Sequence, residues 1–281
     1  MKTLIGAAEL AARLQGPHAP RLLDCSFDLG DVAAGRRAWQ RAHLPDAAYL
    51  DLEDDLSGPK HDAQGRFLGR HPLPERATFA ARIGALGIVP ATPLVAYDAQ
   101  GGPYAARAWW LLRWIGHEDV AVLDGGMAAW HELGLPTDDR APRFDAATPY
   151  PLQAPALPTL DAETLRAGLG RWRLIDARAG ERFRGEVEPL DRAAGHIPGA
   201  RNRFFKDNLQ PDGRFKSIDA LRADWQPLAA GEALVHYCGS GVTACHNLLA
   251  AAHAGLGNGL LYPGSWSEWS SDPSSPQARG A

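Results

Sequence analysis

The second half of this chain repeats the first in kind and order, which limits the folds open to it. Arg21-Leu22-Leu23-Asp24 reads as a strand with an acidic end, and Arg173-Leu174-Ile175-Asp176 is its counterpart. The turn His43-Leu44-Pro45 returns as His196-Ile197-Pro198. Leu94-Val95-Ala96-Tyr97-Asp98 returns as Leu234-Val235-His236-Tyr237-Cys238, shifted by 140 positions, and the turn after Asp124 returns around Gly264 and Trp266. Self-similarity at half the chain length means two copies of one domain rather than a short-period solenoid. Inside each copy short apolar strands alternate with helical segments such as Tyr104 to Ile115, the signature of a doubly wound parallel α/β sheet flanked by helices. Sites in such sheets lie beyond the carboxyl ends of the strands.

The repeat sets the expected boundaries. Residues 1–140 form the first domain, 141–158 a stiff, extended linker, 159–270 the second domain, and 271–281 a flexible Ser/Pro/Gly tail. The linker is marked by Pro142, Pro149, Pro151, Pro155 and Pro158. The opening segment around Leu4 and Leu10 could pass for a signal peptide, but Glu9 and Arg13 interrupt it, and it reads as a strand entering a helix.

The stretch with the most chemical content is Cys238-Gly239-Ser240-Gly241-Val242-Thr243-Ala244. A strand turning directly into a helix across glycines aims several N–H groups, and the positive end of the helix, at one point. Cys238 stands there, in conditions that favour the thiolate. Gly239 and Gly241 permit close backbone approach. The Ser240 hydroxyl is placed to bond a substrate or relay a proton, and Thr243 either contacts a transferred sulfur or caps the helix. In the first copy Asp98 stands where Cys238 stands. A carboxylate can satisfy the turn's amides but is no thiol nucleophile, so the first domain is predicted to be catalytically silent, serving as one wall of the cleft. His43, His196, Asp24 and Asp176 recur in both copies and are read as structural, as are Trp109, Trp110, Trp266 and Trp269. Cys25 and Cys245 carry no motif.

The loop from Cys238 to Ala244 resembles the active-site loop of the rhodanese superfamily, specifically its 3-mercaptopyruvate sulfurtransferase branch, and the resemblance covers most of the chain. It implies two tandem rhodanese-like domains and a ping-pong transfer of sulfane sulfur. The Cys238 thiolate takes sulfur from a donor to become a persulfide, and an acceptor (cyanide, a thiol or thioredoxin) removes it. Gly239, Gly241, Val242 and Thr243 would line the sulfur. Arg182 matches an arginine that binds the donor carboxylate, for which a guanidinium fork is suited, while Arg178 and Arg184 read as solvated or structural. The family's second arginine falls about nine residues later; here that position is Asp191, the preceding segment is shortened, and Arg192 is the candidate replacement. His71 resembles a histidine proposed to join Ser240 in a proton relay, with a carboxylate expected at Glu53 or Asp51.

Rival readings are tested by the same residues. Thiosulfate-preferring relatives carry cations just after the cysteine, whereas here Gly239 and Ser240 follow it, which suits a monoanionic donor better. Cysteine phosphatases need an arginine six residues after the cysteine, where this chain has Ala244. A non-enzymatic carrier would be expected to lose the cysteine in both copies. The net charge of −4 gives no reason to expect nucleic acid or an anionic membrane as partner, and no apolar run is long enough to span one. Three cysteines fit neither a disulfide framework nor a zinc site. No metal or cofactor is expected, and the location is expected to be cytoplasmic.

Overall fold

A computed structural model describes residues 2–145, 150–155, 157–229, 234–257 and 259–281. It divides the chain into two compact units: 1–57 with 74–156 and 211–215, and 58–73 with 157–210 and 216–281. Residues 58–73, from the first half of the sequence, thus belong with the second unit. Linker positions 146–149 and 156 lie outside the described residues.

In the first unit five parallel strands, β1 (Leu4–Ile5), β2 (Arg21–Asp24), β3 (Ala48–Tyr49), β4 (Leu94–Tyr97) and β5 (Val120–Leu123), stand in the order β1-β5-β4-β2-β3. Helices α1 (Ala7–Leu14), α2 (Ala34–Arg41), α3 (Arg76–Ala85) and α4 (Pro103–Trp114) connect them, and α5 (Gly126–Glu132) follows the last strand. Every residue of β4 is buried, as expected of a central parallel strand covered on both faces. Helix α4 begins on Gly102 at φ 98°, a left-handed entry suited to glycine, with Pro103 in the first turn.

The second unit repeats the plan with fewer strands. Helix α6 (Ala162–Ala167) precedes β6 (Arg173–Asp176), α7 (Gly180–Phe183), β7 (Arg201–Asn202) and α8 (Ile218–Ala229). Then follow β8 (Leu234–Tyr237), α9 (Thr243–His253), β9 (Leu260–Leu261) and α10 (Ser265–Ser271). The sheet order is β7-β6-β8-β9, again parallel. Its core packs Leu174, Val235, Tyr237, Tyr262, Trp266 and Trp269, so both tryptophans are core residues, as expected of large aromatic side chains. Trp109 and Trp110 are likewise buried in the first unit.

The recurring histidines are structural in both copies. His43 Nδ1 lies 2.6 Å from the Trp39 carbonyl and His196 Nδ1 lies 2.8 Å from that of Phe183. The equivalent tyrosines accept backbone N–H bonds: Leu44 N–H donates to Tyr97 Oη and Ile197 N–H to Tyr237 Oη.

One expectation is corrected here. The segment 271–281 reads as a flexible tail, but it is laid back on its own unit. Ala278 exchanges two backbone hydrogen bonds of 2.9 Å with His196, Trp269 Nε1 donates to the Pro276 carbonyl at 2.8 Å, and Gly280 N–H donates to Arg184. The composition hides this because part of the docking uses main-chain groups, which any sequence supplies, and the rest pairs Asp272 and Ser275 with Arg166, more than 100 residues away.

Candidate active site

Strand β8 ends at Tyr237, and Cys238 is the first residue of the turn into α9. Its side chain is only 2 % exposed. Gly241 lies at φ 77°, and a Cβ there would come within 2.4 Å of the Pro263 carbonyl oxygen, so glycine is required twice over. That conformation directs the Gly241 N–H at the Cys238 sulfur, 3.1 Å away. The turn is pinned from the start of α10: Cys238 N–H donates to Ser265 Oγ at 3.1 Å, Trp266 N–H to the Cys238 carbonyl at 3.0 Å, and Ser267 N–H to the Gly239 carbonyl at 2.9 Å. Val242 is buried and occupies the N-cap position of α9; Thr243 is its first helical residue, so its hydroxyl does not sit at the capping position. Cys245 is buried on the same helix with its Sγ 3.3 Å from the Gly241 carbonyl, and Cys25 is buried in the other unit, where burial pushes its thiol well up.

Ser240 and His71, distant in sequence, meet within the second unit. His71 Nδ1 stands 2.8 Å from Ser240 Oγ, and both residues are buried. Glu53 and Asp51, the carboxylates expected beside His71, belong to the first unit. There the Asp51 carboxylate accepts the N–H groups of Glu53 and Asp54 and lies 3.6 Å from Arg36.

The arginines separate by role. Arg178 is buried, not solvated: it forks onto Asp176, reaches Glu188 at 3.2 Å, and donates to the Gly195 carbonyl, a structural tie. Arg184 pairs with Glu186 at the surface. Arg182, 17 % exposed, donates through Nη2 to Glu188 at 2.6 Å and Asp191 at 2.9 Å. Burial opposes ionisation of Glu188, but the bond and charge of Arg182, with the N–H groups of Leu190 and Asp191, together outweigh it and hold the carboxyl below its ordinary range. Arg192 is directed elsewhere. Its Nη1 lies 3.4 Å from the Ser271 carbonyl, and with Arg66, Arg166 and Trp269 it lines a cavity of about 700 Å³. The shortened segment explains this: Glu188 accepts the N–H groups of both Leu190 and Asp191, a tight turn that points Asp191 inward and leaves Arg192 outside.

Sequence reasoning missed Arg70. Its Nε and Nη2 fork onto Asp191 at 2.9 and 3.3 Å. A Cβ at Gly239 would lie 2.6 Å from Arg70 Nη2 and 3.5 Å from Arg182 Nη1. The loop itself carries no side-chain cation, as its sequence says, yet two guanidinium groups from other segments stand over its second residue. The available signals were the adjacency of Arg70 to His71 and the acidic residue at position 191.

Among the described residues no cluster of His, Cys, Asp or Glu could hold a metal ion. Nor is any helix among them long and apolar enough to cross a membrane.

Comparison with known proteins gives a consistent result. The sequence model of the Rhodanese-like domain matches residues 6–133 and again 161–272. A Pseudomonas aeruginosa protein named "Probable 3-mercaptopyruvate sulfurtransferase" is 47 % identical over 99 % of this chain and 98 % of its own length. A "Thiosulfate sulfurtransferase" of Cricetulus griseus is 36 % identical over 89 % of this chain and 84 % of its own. Among solved structures, a 3-mercaptopyruvate sulfurtransferase from Leishmania major superposes with a TM-score of 0.83 at 30 % identity, covering 96 % of this chain and 74 % of that one.

Proposed function

We propose, since the chain belongs to the rhodanese family and carries two rhodanese-like domains, that it is a sulfurtransferase moving sulfane sulfur from 3-mercaptopyruvate to a thiophilic acceptor through a persulfide on Cys238. The relatives named for that activity support the class of reaction. The observation that carries the donor is the bond between Ser240 and His71 beside the cysteine turn.

In the first half-reaction the Cys238 thiolate attacks the sulfur of 3-mercaptopyruvate. A sulfur–sulfur bond forms, the sulfur–carbon bond breaks, and its electron pair passes into the enolate of pyruvate. The enolate takes one proton at carbon to become pyruvate, and the donor's own S–H proton balances the step. Ser240 and His71, bonded to each other, can hold and return that proton. Loss of sulfite from thiosulfate needs no protonation at carbon, so a buried Ser–His pair answers a need that only the oxo acid creates. In the second half-reaction cyanide, a thiol or a thioredoxin-type protein attacks the outer sulfur, and the electron pair of the broken sulfur–sulfur bond returns to Cys238. The Gly241 N–H and the start of α9 stabilise the sulfur anion in both steps. Gly239, Val242 and Thr243 frame the sulfur, Arg182 takes the donor carboxylate, and the first domain, with Asp98 in place of the cysteine, is catalytically silent. Three free cysteines suit a reducing compartment, the cytoplasm.

Thiosulfate is the second reading, favoured by the guanidinium groups over Gly239 and by relatives named for that donor. The deciding experiment is the mass of the intact protein after brief exposure to each donor, read with peptide mapping. One added sulfur on Cys238 with 3-mercaptopyruvate, formed faster than with thiosulfate, is the expected result; no added sulfur with either donor would sink the assignment.

A further inference from the structure

We infer that Arg70 and Arg182 together form a clamp for the donor carboxylate, with Asp191 as the brace that holds the two guanidinium groups side by side. The inference rests on the donor proposed above and adds a specificity residue, Arg70, from a part of the chain remote from the cysteine.

Asp191 is 1 % exposed and bonds both arginines, through Oδ1 and Oδ2 to Arg70 and through Oδ2 to Arg182. Burial, with Glu188 nearby, holds its carboxyl above the ordinary range against the pull of the two guanidinium groups. Arg70 and Arg182 each retain an Nη1 group that bonds no described residue. The nitrogens nearest to the space above Gly239 belong to both arginines. Because position 239 is glycine, no side chain stands between the residue after Cys238 and these guanidinium groups. A small carboxylate placed there would meet a planar donor group from each side.

Arg70 is also built into place rather than draped across the surface. Its backbone N–H donates to Ser267 Oγ at 3.1 Å, while Ser267 N–H holds the Gly239 carbonyl. Gly69 lies at φ 108°, where a Cβ would come within 2.9 Å of the Gly264 carbonyl oxygen. The turn that fixes the cysteine loop therefore fixes Arg70, and its neighbour His71 meets Ser240 from the same short segment. Glu188 also bonds Arg182, so the two guanidinium charges are matched by two carboxylates, and what the clamp offers a donor carboxylate is planar N–H groups rather than an excess of charge.

The test compares 3-mercaptopyruvate with mercaptoacetone, the same mercaptoketone without a carboxylate, using cyanide as acceptor. Arg70→Gln is expected to lower kcat/KM for 3-mercaptopyruvate by about tenfold to a hundredfold, mainly through KM, and to leave mercaptoacetone within about twofold. Arg70→Lys keeps the charge but not the fork and should recover only part of the loss. Arg70→Gln leaves Asp191 less well paired, so Arg70→Gln/Asp191→Asn, which removes the buried charge as well, is measured alongside and should show the same donor-selective loss. Equal losses on both donors, or none on 3-mercaptopyruvate, overturn the clamp while leaving the sulfurtransferase reading intact. A wild type that forms the Cys238 persulfide from mercaptoacetone and thiosulfate but not from 3-mercaptopyruvate overturns the donor and the clamp together.

Discussion

Asp98 and Cys238 end equivalent strands and open equivalent turns, and the two turns use the same backbone device for opposite purposes. Both carry a glycine three residues on in the left-handed region, Gly101 at φ 85° and Gly241 at φ 77°, and both lead into helices that start at matching positions. In the first copy the convergent amides are filled. Asp98 Oδ1 accepts from Gln100 and Gly102, and Oδ2 from Tyr104 and Ala105, at 2.8 to 3.0 Å. Burial raises this carboxyl, and the same four amides draw it back. In the second copy a single sulfur replaces two oxygens, with the Gly241 N–H aimed at it. The same kind of turn is thus filled by its own carboxylate in one domain and left to a single sulfur in the other, as the proposed persulfide requires.

The largest effect that comparison predicts is at the sulfur itself. Cys238→Ser should remove persulfide formation and turnover with either donor, whereas Cys25→Ser and Cys245→Ser should leave both largely intact. Adding Asp98→Cys to the Cys238→Ser protein should not restore transfer, because the first turn has Gln100 where the second has Ser240. Persulfide appearing at position 98 at an appreciable rate would show that the turn alone suffices. Next in size is the hydroxyl–imidazole pair. Ser240→Ala or His71→Asn should lower kcat with 3-mercaptopyruvate by about 10²- to 10⁴-fold while leaving persulfide formation from thiosulfate nearly unchanged. A matching loss with both donors would mean the pair merely shapes the loop.

Much of this contrast is legible in the amino-acid order. The repeat, the strand before each turn and the Asp98-for-Cys238 exchange are local patterns, and apolar runs bounded by glycines report them directly. Arg70 and Asp191 were not legible in the same way. Their pairing joins residues 121 apart, and no periodicity marks which surface arginine will fold inward. Arg192 looked like the replacement for a displaced arginine because it is near in sequence, but the Glu188 turn sends it outward. The tail reads as loose because its main-chain bonds leave no trace in side-chain composition and its side-chain partner, Arg166, is distant in sequence. Position 239 shows both sides: its glycine was recognised as allowing close approach, but the group that approaches is the Arg70 guanidinium. An arginine introduced at 239 to attract thiosulfate would collide with it, so loop charge cannot be tested there in isolation.

At the Asp98 turn the expected change is in stability rather than rate. Asp98→Ala leaves four N–H groups without their acceptor, those of Gly102 and Ala105 in buried bonds, and should destabilise the protein by about 2–3 kcal/mol, read as a fall in the urea midpoint with little change in slope. Persulfide formation per folded molecule at Cys238 should be unchanged. A loss of rate without loss of stability would contradict the view that this turn is structural.

The smallest predicted effect lies where the two turns meet the following helix. Met127 N–H donates to the Asp98 carbonyl at 3.1 Å, as Trp266 N–H does to that of Cys238 at 3.0 Å. The residue before each donor is left-handed at φ 54°, but it is Gly126 in one copy and Ser265 in the other. At Gly126 a Cβ would stand 2.1 Å from the Asp98 carbonyl oxygen, so no side chain fits. Ser265 does carry one, in a conformation that costs an L-residue about 1–2 kcal/mol, and its Oγ accepts the Cys238 N–H while donating to the Tyr262 carbonyl at 3.0 Å. The hydroxyl therefore offsets the backbone strain by satisfying the Cys238 amide. Ser265→Ala keeps the strain and loses both bonds, for an expected loss of about 1–3 kcal/mol. Ser265→Gly loses the same bonds but relieves the strain, against about 0.5–1 kcal/mol of added chain entropy, and should be the more stable of the two by a few tenths to about 1 kcal/mol. Paired urea titrations resolve that difference, and an alanine variant as stable as the glycine one would show that the left-handed serine stores no strain.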